Sequence, residues 1–76
     1  MNTQTENLVS ANQLVFGDEF RPHNDKRYRN TWMRVLDART DARTVGSVTT
    51  ITYEIPDSGM KPMTTHYAAL AAMEVR

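Results

Sequence analysis

Seventy-six residues suffice for one small domain, and a chain of that length buries only about 60% of the surface its unfolded form exposes. Composition excludes several function classes. There is no cysteine, so no disulfide and no thiolate zinc site, and His23 and His66 are far apart and lack ligand spacing. No apolar run approaches the roughly 18 residues of a membrane span, and Met1–Asn7 lacks the basic and apolar regions of a signal peptide. The expectation is a cytoplasmic protein with no metal, no cofactor and no membrane partner. Formal net charge is zero but uneven: residues 21–43 carry seven Arg or Lys against three Asp, and the remainder carries the mirror excess of acid.

Residues 1–11 are polar and read as a flexible N-terminal arm, with Leu8 and Val9 as its docking residues; residues 12–76 form the domain. Gln13–Phe20 is the first strand candidate. Leu14, Phe16 and Phe20 share a face, and Gly17-Asp18 marks a bulge or bend. Arg21–Arg27 is a polar loop, with Pro22 and Asn24-Asp25 as turn residues. Tyr28–Ala38 alternates Trp32, Arg34 and Leu36 with Met33 and Val35, so both faces are partly apolar and the strand reads as central or strongly curved. Arg39–Thr44 reads as a polar connection. Val45–Ile55 carries the strongest strand signal. It is rich in β-branched and aromatic residues, with Ile51, Tyr53 and Ile55 on one parity and Val48 out of place on the other. Pro56–Gly59 is a turn. Met63–Tyr67 alternates as a strand, Ala68–Met73 holds helix formers, and Met73–Arg76 closes the chain as a strand; a single helix over 64–74 is the rival reading.

The fold class is therefore mainly β: an antiparallel barrel or curved sheet of four or five strands with a short helical turn near the C-terminus, and with Phe16, Leu36, Ile51 and Tyr53 buried together. The alternative is an antiparallel sheet plus the 64–74 helix. The order of elements resembles the SH3-like small β-barrel. The carrying residues are Leu14-Val-Phe-Gly-Asp18, Trp32-Met-Arg-Val-Leu36, Gly46-Ser-Val48 and Tyr67-Ala-Ala-Leu70 before Glu74-Val75. That resemblance covers about residues 12–76, implies fold rather than chemistry, and is shared by many small phage- and plasmid-encoded proteins. The plasmid type II dihydrofolate reductases have this fold and also end on a Tyr and Ala-Ala-Leu segment. They build their pore on a Val-Gln-Ile-Tyr run, where this chain reads Thr64-Thr65-His66-Tyr67.

No catalytic residue is assigned. Asp18 and Glu19 are adjacent and point to opposite faces of a strand, which excludes an acid/base pair. His66 beside Thr64 and Thr65 lacks an orienting acid and an oxyanion site. The glycines Gly17, Gly46 and Gly59 are too dispersed for a phosphate loop. The informative stretch is 21–34, where basic residues interleave with Tyr28 and Trp32; Trp32, on a strand, reads as a core residue. Arg21, Lys26, Arg27, Tyr28, Arg29 and Arg34 are the candidate binding residues. Such residues stack and steer single-stranded nucleic acid, and they also anchor protein interfaces. Zero net charge favours a protein partner, because nucleic-acid affinity comes largely from phosphate neutralisation. The expectation is a non-enzymatic regulator, phage- or mobile-element-encoded, that docks on a host or self protein assembly, transcription machinery being one target. Nucleic acid is the alternative partner, and a homo-oligomer is compatible with both.

Overall fold

The computed structural model describes residues 7–23, 25, 27, 30–43 and 46–76. The strongest strand signal becomes β4, Gly46–Glu54, in which Thr49, Ile51 and Tyr53 are buried and their neighbours are not. The alternation read from the sequence is the one observed. β4 pairs antiparallel with β3 (Met33–Arg43) on one side and β5 (Met63–Ala68) on the other. β2 (Glu19–Pro22) pairs with β3 and with β6 (Ala72–Val75), and β6 pairs in turn with β1 (Asn7–Ser10). The result is one antiparallel sheet in the order β1-β6-β2-β3-β4-β5.

The sheet has six strands rather than four or five, because the N-terminal segment joins it. Asn7–Ser10 pairs along β6, and Ala11 is fully buried in the core. Residues 7–11 therefore belong to the domain, not to an arm; residues 1–6 lie outside the described residues. A single 3-10 turn follows at Ala11–Gln13, where the Ser10 backbone N–H donates to Gln13 Oε1 at 2.9 Å.

The first strand candidate is mostly a turn. Gly17 adopts φ +93°, a conformation that costs glycine little. The Val15 N–H donates to Asp18 Oδ2 at 3.0 Å and closes the loop. Phe16, expected in the core, sits on this turn 77% exposed. Phe20 keeps its expected place: it is fully buried and meets Tyr53 edge to face at 6.2 Å.

β3 runs to Arg43, through the segment read as a connection. It contains a bulge: Val35 pairs with Tyr53 and Asp37 with Thr52, so Leu36 is the extra residue. Before the bulge Met33 and Val35 face the core; after it Ala38 packs there instead. Leu36, on the outward parity of Arg34, is half-buried rather than in the core. The parity switch aims Thr40 at the buried Thr49, whose hydroxyl it meets at 2.9 Å. A buried hydroxyl without such a partner would be costly.

At the C-terminal end the strand reading holds and the 64–74 helix does not. Met63–Ala68 makes a six-pair ladder with β4. The turn at Ala69-Leu70 is closed by the Ala71 N–H donating to the Ala68 carbonyl at 2.9 Å. Six backbone pairs with alternating burial outweigh the modest helix preference of a few alanines, which needs packing to express itself. The expected helical turn at this place is a tight turn; a 3-10 turn is found instead at Ala11–Gln13.

Candidate binding face around Trp32

Strand parity builds the site. Residues alternating with the buried Phe20, Met33 and Met73 point outward. They are Glu19 and Arg21 on β2, Arg34 on β3, and Glu74 followed by Arg76 at β6. Cross-strand register then sets opposite charges side by side, with Arg34 opposite both Glu19 and Glu54, and Arg21 opposite Glu74. Arg34 bridges Glu54 at 3.3 Å and Glu19 at 3.5 Å. Glu19 also takes Arg76 Nε at 2.7 Å. Glu74 accepts from Arg21 at 2.9 Å and meets His23 Nδ1 at 3.0 Å.

Trp32 lies in the middle of these pairs. It shares its parity with Arg34, as the sequence suggested, but that face is the charged one and not the core. The indole is half-buried. Two guanidinium carbons lie over its ring, Arg21 at 4.4 Å and Arg76 at 4.6 Å from the centroid. Such contacts contribute about 0.5–1 kcal/mol each when exposed and more when dry. Each arginine is itself fixed by a carboxylate, so the ring is held by charges that are already matched. Beside it opens a cleft of about 420 Å³ between residues 30–32 and 55–57, with Arg76 on its wall.

Proton affinities follow the same contacts. The Glu74 carboxyl is held below the usual carboxylate value, first by the hydrogen bond from His23 and then by that from Arg21. Glu19 is lowered chiefly by its hydrogen bond from Arg76, with partial desolvation opposing and Arg34 adding to the effect. Asp25 is lowered by its hydrogen bond from Arg27.

Of the six residues singled out from the sequence, Arg21 and Arg34 stand on this face. Arg27 does not: it is clamped to Asp25 through Nε at 3.0 Å and Nη2 at 2.8 Å. Lys26, Tyr28 and Arg29 lie outside the described residues. Sequence reading missed Arg76, His23, Glu19 and Glu74 as members of the site, and Ile55, Pro56 and Asp57 as walls of the cleft. A signal was present for three of them, Glu19, Glu74 and Arg76. Glu19/Arg21 and Glu74/Arg76 are alternate residues, hence on one face of a strand, and the two pairs have reciprocal charge.

His66 hydrogen-bonds Thr50 Oγ1 through Nδ1 at 2.9 Å, on the opposite half of the sheet. Among the described residues no group of three or more His, Cys, Asp or Glu could hold a metal ion, and no helix is long and apolar enough to cross a membrane. No family model matches the chain, and neither a curated protein nor a solved structure matches it.

Proposed function

We propose that the chain is a small non-enzymatic interaction module that docks on a larger protein assembly through the face around Trp32. The observation that carries this reading is a half-exposed tryptophan held over a cleft by two guanidiniums. Trp and Arg in a partly desolvated setting are the residue types that dominate protein interfaces. Preorganisation adds to the argument, because a ring already fixed loses little freedom on binding. The meander β2-β3-β4-β5, with β6 returned beside β2, supports reading the chain as a small β module.

Charge favours protein over nucleic acid as the partner. Arg21, Arg27 and Arg34 each contact a carboxylate. Phosphate neutralisation would have to break those pairs, whereas a protein partner can complete them. The test is recovery of partners from lysate by tagged wild-type chain, Trp32→Ala and Arg27→Ala, each first shown to fold. A partner lost with Trp32→Ala and kept with Arg27→Ala supports the reading. Equal recovery by all three moves the binding face elsewhere. Recovery of nucleic acid with affinity that falls steeply as salt rises would favour the alternative.

A further inference from the structure

We propose that two copies of this chain pair edge to edge along β5, antiparallel about a two-fold axis at Thr65, to form one continuous sheet. The inference is independent of the Trp32 face, which lies around β2, β3 and β6.

β5 ends the sheet: among the described residues no strand pairs with its far side. Natural edges are blunted by charged side chains, bulges or very short strands. β5 has six residues, Met63-Thr-Thr-His-Tyr-Ala68, with no Asp, Glu, Lys or Arg and no shift in its register with β4. Its alternation is regular, with Met63, Thr65 and Tyr67 half-buried and Thr64, His66 and Ala68 exposed.

The ladder tells which amides are available. The Ala69 N–H donates to the Ser47 carbonyl at 3.0 Å, one step beyond the Val48–Ala68 pair. Bonded and non-bonded pairs alternate in an antiparallel ladder. Tyr67, Thr65 and Met63 therefore direct their amides and carbonyls at β4. Thr64, His66 and Ala68 direct theirs at the open edge.

A two-fold axis normal to the sheet keeps both core faces on one side. It then requires residues of like parity to face each other across the seam. With Thr65 opposite its own copy, Thr64 and His66 of one chain exchange both backbone bonds with His66 and Thr64 of the other. Ala68 then meets Pro62. Proline has no N–H to offer, and the Ala68 carbonyl already accepts from Ala71 at 2.9 Å. The remaining Ala68 N–H finds the Pro62 carbonyl, so the two irregular positions complete each other. On the core face Met63 of each copy comes opposite Tyr67 of the other in a non-bonded pair, where side chains approach most closely. Both residues already pack against the core from the side, and the thioether–ring contact is favourable.

The chain has no cysteine, so a single introduced thiol reports the register. Non-bonded antiparallel pairs have the Cα spacing that a disulfide accepts. Wild-type chain should sediment with twice the monomer mass at high concentration and dissociate on dilution. Thr65→Cys should form covalent dimer under mild oxidation many-fold faster than Ser58→Cys on the exposed turn. Adding His66→Pro, which removes an edge-facing N–H and leaves the β4 ladder intact, should abolish that advantage. Adding Thr64→Pro instead offers a second route to the same loss should His66→Pro fail to fold. A chain that stays monomeric at every concentration overturns the proposal. So does a dimer in which Thr65→Cys crosslinks no faster than Ser58→Cys, since its seam would lie elsewhere.

Discussion

The two halves of the outward face use the same strand geometry for opposite ends. Around β2, β3 and β6 the cross-strand positions hold Arg and Glu, and the pairs fix a tryptophan ring at the surface. Along β4 and β5 the equivalent positions hold Thr50 beside His66 and Thr52 beside Thr64, linked at 2.9 and 3.3 Å. Surface ion pairs contribute little to stability, about 0–1 kcal/mol each when exposed, and a half-buried one such as Arg21–Glu74 also bears a desolvation cost. The charged half is therefore better understood as a device that orients Trp32 than as a source of stability. The threonine half stabilises through β propensity and ladder regularity, and its neutrality leaves an edge that a second strand can join. Stability of both halves rests on the core beneath them.

The largest effect should come from that shared core. Phe20 is fully buried beneath the charged half and meets Tyr53 of the neutral half. Phe20→Ala should cost about 3–5 kcal/mol, enough to unfold most of a domain this small. Denaturant titration checks it, and a loss below about 1 kcal/mol would mean that the two halves do not share a core.

Trp32→Ala should separate stability from binding. Its stacking contacts are partly exposed, so unfolding free energy should fall by only about 1 kcal/mol, while partner binding weakens by about 2 kcal/mol or more. Calorimetric melts together with binding titrations of a recovered partner would decide it. A Trp32 that behaves like Phe20 in the melt would place the ring in the core.

Acid should act on the charged half. Glu19 and Glu74 have folded-state values below the ordinary 4.5. Groups of this kind contribute stability above the unfolded value, and that contribution is lost as pH falls through the lowered folded values. The melting temperature should therefore drop as pH falls below about 4.5, and the Glu19→Gln/Glu74→Gln chain should drop less steeply over the same range. Parallel slopes in thermal melts would remove these two carboxylates from the account.

The smallest effect is expected at Arg27, outside both halves. Arg27 is 79% exposed and bridges Asp25, two residues away in the chain, so Arg27→Ala should change stability by no more than about 0.5 kcal/mol. A larger loss in the same melts would show that the 23–30 connection braces the sheet.

Much of this was legible in the sequence, and the exceptions have physical causes. β4 was readable because Thr49, Ile51 and Tyr53 alternate without interruption. The turn at 56–59 was readable because it needs positive φ, which Asp57 and Gly59 supply at 63° and 75°. Phe16 misled, because its hydrophobicity reads as core while the turn chemistry of Gly17-Asp18 carries it outward. Leu36 misled, because both faces of its segment read as apolar, and it lies on the outward parity of Arg34, opposite to the buried Met33 and Val35. β1 was invisible: Asn7–Ser10 has only Leu8 and Val9 to announce it, and its pairing is with residues 72–75 at the far end of the chain. The candidate binding face was half legible. The basic stretch pointed to Arg21 and Arg34, whereas Trp32 read as a core residue. The partners that make it a site come from β6 and from the turn after β4, and only the sheet order brings them together.

Trp32 is the only tryptophan in the chain, so quenching of its fluorescence by acrylamide in the native state tests the central claim most directly. A surface ring held by Arg21 and Arg76 should be readily quenched, and more strongly in the Arg21→Ala/Arg76→Ala chain, which should still melt cooperatively. Native emission that resists quenching and ignores the loss of both arginines would contradict the account and return Trp32 to the core.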